Sequence, residues 1–332
     1  MPVQFPSRLS LATLPTPLVP LRRISAEIGG PLIWLKRDDL TGSTLGGNKV
    51  RKLEFSLAAA IDQGCDTIIT MGGVQSNHCR ATALLCAQLG LHCHLLLFGQ
   101  EKPADGNLLL DKLAGARISF YPASDDPREK EKKLEEWRRH HLDNGTKPFT
   151  IPTGASDATG LWGYIAAAQE LQADFSRQEI HPGHIVTATG SGGTQAGLIL
   201  GNQLFELGSV VWGVNVDHDA QYFVNKIRND MGDWKQLYDQ PLDTENLDIN
   251  IIAGYMGEGY GIASARIFGM IRHLAKTEGV VLDPVYTAKA FYGMLEQIKL
   301  GRLGDASDIV FIHTGGIFGL FPQRDQLFEP VQ

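Results

Sequence analysis

The sequence predicts an α/β fold built on mostly parallel sheets, and three observations carry that expectation. Short apolar, β-branched segments lead repeatedly through a glycine-containing turn into an amphipathic stretch, the pattern of successive strand–helix–strand units. The chain has 332 residues, 43% of them hydrophobic, enough for one large or two medium domains with a sizeable core. A late apolar run at 309–313 ends in Gly315-Gly316, so strand-forming sequence returns far from the first strands.

Taken in order, the N-terminal stretch holds Pro2, Pro6, Pro15, Pro17 and Pro20 and no uninterrupted apolar run. It reads as an extended arm lying over the core, unlike a secretory leader or a spanning helix. A strand-like run from Leu32 ends in Lys36-Arg37-Asp38-Asp39, and Gly46-Gly47-Asn48-Lys49 then opens a helix with apolar Val50, Leu53, Leu57 and Ile61 at helical spacing. A strand over 67–71 leads to a helix over 79–89, a strand over 92–98 to a helix over 107–114, and a strand over 184–188 to a helix over 194–207. The densely charged stretch at 125–144 places Glu129 four residues before Lys133 and Glu135 four before Arg139, which predicts an exposed helix.

The formal net charge of -7 argues against nucleic acid or an anionic membrane surface as the main partner, and favours a small molecule. Cys65, Cys79, Cys86 and Cys93 form no C-x-x-C pair, so they read as free thiols of a reducing, cytoplasmic compartment. His92 and His94 fall on one strand face, but without a third ligand nearby they are structural, and no metal site is expected.

Two segments carry chemistry. Thr189-Gly190-Ser191-Gly192-Gly193-Thr194 runs from a strand into a helix, where unpaired N–H groups and the positive end of the helix dipole bind a phosphate. Asp217 ends the next strand, as in a dinucleotide site, but the G-x-G-x-x-G register fails at Gln195, so a compact monophosphate fits better. Lys49 stands at a helix N-terminus beside Arg51 and Lys52. Dipole and like charges both make its amine easier to deprotonate, and a neutral amine can form an imine. On local grounds alone a surface lysine reads equally well.

These segments occur in order with Arg51-Lys52-Leu53-Glu54, Gln75-Ser76-Asn77-His78, Leu282-Asp283-Pro284-Val285-Tyr286 and His313-Thr314-Gly315-Gly316 across nearly the whole chain. In these motifs the chain resembles the fold-type II pyridoxal 5'-phosphate (PLP) enzymes, and within them the group of 1-aminocyclopropane-1-carboxylate (ACC) deaminases and D-cysteine desulfhydrases. The resemblance implies two open, twisted, mostly parallel-sheet α/β domains of the tryptophan synthase β type with the cofactor between them. Residues 1–49 and 162–332 would form the larger, PLP-binding domain and 50–161 the smaller, in a homodimer. It further implies Lys49 as the Schiff-base lysine, with Asn48, Asn77, Thr189, Gly190, Ser191, Gly192, Gly193, Thr194 and Thr314 around the cofactor. Ser76, with Gln75, Asn77 and His78, would meet the substrate, and Tyr286 and Tyr260 match two active-site tyrosines.

Deaminases of the group carry glutamate after the equivalent of Tyr286 and leucine where Thr314 stands. This chain has Thr287 and Thr314, the desulfhydrase-like pattern. The resemblance therefore implies β-elimination on a small amino acid, D-cysteine to pyruvate, ammonia and hydrogen sulfide foremost. L-cysteate sulfo-lyase and ACC deaminase share the frame, and the leaving group and the choice of D or L stay open. A dinucleotide-dependent oxidoreductase built on the glycine loop and Asp217, or a non-catalytic binding protein, are the rivals from other classes.

Overall fold

The computed structural model describes residues 3–124, 126–304 and 306–328; Pro2 of the arm and Asp125 at the head of the charged stretch lie outside them. The predicted α/β architecture is present as two sheets. β1 (Leu18–Pro20), α1 (Arg22–Ile28), β2 (Leu32–Lys36) and α2 (Lys49–Asp62) come first. The four-stranded sheet follows, from β3 (Thr67–Gly73), α3 (Asn77–Leu89), β4 (His92–Phe98), α4 (Gly106–Leu113), β5 (Arg117–Tyr121), α5 (Pro127–Asp143) and β6 (Pro148–Ile151). The chain then returns through α6 (Trp162–Gln178), β7 (His184–Thr189), α7 (Gly193–Leu204), β8 (Val210–Asn215), α8 (Ala220–Leu237) and β9 (Asn250–Ile252). It ends with α9 (Ala265–Glu278), α10 (Thr287–Lys299) and β10 (Asp308–Ile312).

The smaller sheet, ordered β5-β4-β3-β6, is parallel throughout. The larger, ordered β1-β2-β10-β7-β8-β9, is parallel except for β1 against β2. The late strand β10 thus inserts between β2 and β7, joining the two ends of the chain in one sheet.

Alternation along these strands fills both faces. Trp34, Val310, Ile312 and Ile185 pack with α6, α7 and α8 residues such as Trp162, Leu198 and Phe223, whereas Ile33, Leu35, Val186, Ile309 and Phe311 pack with Ile271 of α9 and Phe291 of α10. The smaller sheet buries Ile68 against Leu53, Leu57 and Leu85 on one face, and Ile69, Met71 and Leu96 against Leu134 and Trp137 on the other.

The N-terminal segment does lie over the core as an arm: Phe5 stacks edge-on against Trp162, and the N–H groups of Leu11 and Ala12 each donate to Glu54 at 2.8 Å. Helix α2 departs from the expected one-sided pattern. Val50, Leu53 and Leu57 are buried as expected, but Ile61 is 41% exposed, while Arg51, Lys52, Glu54 and Phe55 are buried. The helix is enclosed between α6 and the smaller sheet, so its polar residues have to find partners inside. Arg51 is clamped by Asp38 at 2.7 Å and Glu170 at 3.0 Å, and Lys36 by Asp174 at 2.5 Å. With Arg177 as a third cation on Asp174, this network sets three cations against three carboxylates and ties α2 to α6 and to the end of β2.

On the charged helix α5, Glu135 pairs with Arg139 at 2.8 Å as expected, but Lys133 turns to Glu136 at 2.7 Å. His94 is buried and bonded to His141 at 3.0 Å and Ser119 at 2.9 Å, a structural use of the imidazole. No described helix is long and apolar enough to cross a membrane.

Candidate active site

The carboxyl ends of β3, β7 and β10 open into one cavity of about 910 Å3, the place where ligands bind in open parallel sheets. Of the residues expected at the site, Asn48, Lys49, Gln75, Ser76, Asn77, His78, Thr189, Gly190, Ser191, Gly192, Thr194, Tyr260, Tyr286 and Thr314 line it. Gly193 does not; it sits one layer below, its N–H donating to Ser156 Oγ at 3.2 Å.

Lys49 is the first residue of α2. The turn before it is pinned by Asn48, whose N–H donates to the Thr314 carbonyl at 3.1 Å and whose amide donates to Thr194 at 2.8 Å. The Lys49 amine makes no hydrogen bond or ion pair among the described residues, and burial lowers its pKa from 10.5 to about 8. Gly154 rises toward it with φ +70°; a Cβ there would lie 2.5 Å from Ser191 Oγ and 3.0 Å from Lys49 Nζ, so only glycine lets this turn approach the amine and the loop together.

The glycine loop ends β7 and caps α7 at Gly192, with φ +84°. The N–H groups of Ser191, Gly192 and Thr194 make no hydrogen bond within the described chain. Below them lies Lys52, which on sequence alone is only a like charge beside Lys49. Its fully buried amine donates to the Gly154 carbonyl at 3.1 Å and Ser156 Oγ at 3.2 Å, and a Cβ on Gly193 would come within 2.8 Å of it. Burial, then the charge of Lys49, push its pKa well below normal. Its spacing of three from Lys49 on one helix face was the available signal. Free N–H groups over a buried amine that can donate or take up a proton make an anion cradle, which fits a cofactor phosphate, and the unpartnered Lys49 amine fits its aldehyde.

Ser76 caps α3, its Oγ accepting from Cys79 N–H at 3.2 Å, so capping and a place on the cavity wall coincide. Gln75 is turned toward α4, donating to the Asp105 carbonyl at 3.0 Å and accepting from Asn107 N–H at 2.9 Å. His78 is buried against Thr70 at 2.8 Å; burial and the charges of Lys49 and Lys52 hold it neutral. Because the Thr70 hydroxyl donates to the Ile151 carbonyl at 2.7 Å, it accepts from His78 Nε2, leaving Nδ1 as a buried, unpartnered acceptor.

The hydroxyls of Tyr260 and Tyr286 are hydrogen-bonded to each other, and Tyr286 packs over Gly190. Burial, followed by the neighbouring phenol, raises the Tyr286 pKa well above its usual value, so it is a neutral phenol. Asp283 holds this segment: it accepts from the N–H groups of Val285 at 2.8 Å, Tyr286 at 2.9 Å and Thr287 at 2.8 Å. Thr287 is fully buried, with its hydroxyl bonded to Asp283 at 2.7 Å. It is the first residue of α10 and, unlike Tyr286 beside it, does not line the cavity. No group of three or more histidine, cysteine or acidic residues is placed to hold a metal among the described residues.

A family model described as pyridoxal-phosphate dependent enzyme matches residues 9–315. The chain is 39% identical over 328 residues to a bifunctional D-cysteine desulfhydrase/1-aminocyclopropane-1-carboxylate deaminase, mitochondrial, of Arabidopsis thaliana, covering 96% of this chain and 80% of that protein. It is 37% identical over 333 residues to a D-cysteine desulfhydrase of Serratia proteamaculans, covering 98% of each. A solved ACC deaminase homologue superposes with a TM-score of 0.89 at 38% identity, over 98% of this chain and 96% of that one. A fungal L-serine ammonia-lyase from Rhizomucor miehei, 19% identical, shares the fold with a TM-score of 0.67 over 93% and 95% of the two chains. These matches displace the dinucleotide reading of the glycine loop and Asp217. With a family model spanning nearly all of its length and an anion cradle facing an unpartnered lysine, the chain belongs to the pyridoxal-phosphate dependent enzyme family.

Proposed function

We propose that this enzyme is a lyase that removes the β-substituent of a three-carbon amino acid, with D-cysteine as substrate and pyruvate, ammonia and hydrogen sulfide as products. The observation that carries the reading is the convergence, in one cavity, of a lysine with its pKa near 8, an anion cradle and a neutral tyrosine pair. The names of the Arabidopsis and Serratia relatives support D-cysteine.

PLP, when bound, supplies an electron sink for the bonds at the substrate α-carbon. The chain's own residues do the rest. Ser191, Gly192 and Thr194 N–H groups, with Lys52 beneath, hold the phosphate, and Lys49 Nζ holds the cofactor and moves the α-proton. With a pKa of about 8, roughly a quarter of Lys49 amines are neutral at pH 7.5, against about one in a thousand for an ordinary lysine. Ser76 and the N–H groups opening α3 take the substrate carboxylate. Tyr286, kept protonated and braced by Tyr260, donates toward the departing sulfur. Thr314, which lines the cavity, would offer the cofactor a hydroxyl and no carboxylate, a partner that would not hold a proton on the pyridine nitrogen and would favour prompt loss of the β-substituent over transamination.

The division of the chain into 1–49 with 162–332 and 50–161 belongs to the same proposal; it assigns the larger sheet to the first part and the smaller to the second, with the cavity between. So do a homodimeric assembly, read from the family resemblance, and a reducing cytoplasmic location, which suits four free cysteines. Incubation with D-cysteine, L-cysteine, L-cysteate and ACC, followed by assay of 2-keto acid, ammonia and sulfide, tests the reaction. Sulfide with pyruvate from D-cysteine alone is expected; 2-oxobutyrate from ACC as the main product overturns the choice of elimination.

A further inference from the structure

Asn107, the second residue of α4, is fully buried and spends its polar atoms on the turn that carries Ser76 and Asn77. Its Oδ1 accepts from Arg80 Nε at 3.1 Å. Its Nδ2 donates to the Gln75 carbonyl at 3.0 Å and to Asn77 Oδ1 at 3.0 Å.

Only one set of polarities satisfies these bonds. A guanidinium has no acceptor, so the Asn107 atom facing Arg80 is the oxygen. The other end is then the amino group, and one of its hydrogens goes to a main-chain carbonyl, which can only accept. The second hydrogen goes to Asn77, which must present its own oxygen. The Asn77 amino group is left facing away from Asn107, on a residue that lines the cavity. Arg80 cannot turn to relax this order. It is fully buried, its terminal nitrogens donate to the carbonyls of Thr44 and, at 3.1 Å, Gly46, and it lies 5.0 Å from the Phe318 ring centre. The same guanidinium thus holds the loop leading to Lys49 and starts the relay that ends on Asn77.

We propose that Arg80 and Asn107 are positioning residues that fix Asn77 as a hydrogen-bond donor into the cavity, setting it to meet an oxygen acceptor of the cofactor. This rests on the reading that the chain binds PLP with Asn77 beside the ring oxygen. An asparagine left unrestrained presents donor or acceptor with equal ease; the relay removes that choice before the ligand arrives. Replacing Asn107 by aspartate leaves only acceptors facing Asn77, so the Asn77 amide turns over and puts its oxygen toward the ligand.

The test is a double-mutant cycle on PLP affinity, measured by equilibrium dialysis of resolved protein, with the visible absorption of the bound cofactor as a second readout. Asn107→Asp is expected to weaken PLP binding about tenfold or more, because an oxygen then faces an oxygen. In an Asn77→Ala background the same substitution is expected to have no further effect, and both single variants shift the absorption in the same direction. Should Asn107→Asp fail to fold, as judged by circular dichroism, Asn107→Ala carries the same cycle. An effect of the Asn107 substitution that persists undiminished without the Asn77 amide, or no effect at all, overturns the relay. Unchanged affinity and spectrum in Asn77→Ala alone overturn instead the underlying placement of Asn77 at the cofactor.

Discussion

Replacing Lys49 by methionine is predicted to stabilise the cofactor-free protein while abolishing turnover. The amine sits without a carboxylate partner, and burial brings its pKa from 10.5 down to about 8. Holding it charged in the folded chain at pH 7 therefore costs about 3 kcal/mol, at 1.36 kcal/mol per pKa unit. Methionine keeps the stem and drops the charge. For a chain of 332 residues the unfolding entropy near the midpoint is about 0.7 kcal/mol per degree, so the gain corresponds to about 4 °C in Tm. The sign also fixes the pH dependence. Below pH 8 both folded and unfolded chains carry the proton and the penalty is full. Between 8 and 10.5 the unfolded chain binds more protons, so the stability of the parent protein rises with pH and the advantage of the variant shrinks to nothing. Scanning calorimetry of both cofactor-free proteins at pH 7 and at the alkaline end of that window measures it. A variant no more stable than the parent at pH 7, or a gain that survives undiminished at high pH, refutes the reasoning.

Three further outcomes follow from the same geometry. The rate at which PLP recombines with cofactor-free protein should climb about tenfold per pH unit up to pH 8 and then level, since only the neutral amine reacts; a flat profile through that range contradicts the lowered pKa. Tyr286→Phe should lower kcat by about 100- to 10,000-fold, the usual worth of a general acid, while cofactor affinity and Tm stay unchanged; full activity would remove Tyr286 from the proton path. Arg51→Met strands the buried carboxylate of Asp38 and should cost about 3–5 kcal/mol in urea denaturation, whereas a change under about 1 kcal/mol would show that the network is not needed to hold α2.

What the sequence revealed was whatever is contiguous in it. Gly46-Gly47-Asn48-Lys49 and the loop at 189–194 each carry their chemistry within six residues, so strand, turn and helix N-terminus could be read directly. What it concealed depends on distant segments meeting. Lys52 reads as a polar residue of an ordinary helix until the fold sets it beneath Gly193, and Gly154 reads as one loop glycine among many until its turn rises to Lys49. Ile61 continues the apolar spacing of α2 yet reaches solvent, because the helix is enclosed along its first three turns and emerges at its end. Thr287 adjoins Tyr286 in sequence but turns inward to Asp283, so adjacency to a residue of the cavity wall does not place it in the cavity. Asn107 carried no local signal, since its role lies in bonds to Arg80 and Asn77 made across the fold.

Two lysines, the half-buried Lys49 and the fully buried Lys52, stand three residues apart beside the cradle, and their tasks differ. Borohydride reduction of the PLP-loaded protein followed by peptide mass mapping separates them. A phosphopyridoxyl mass is expected on Lys49 alone; label on Lys52, or none on either lysine, would contradict Lys49 as the residue that holds the cofactor.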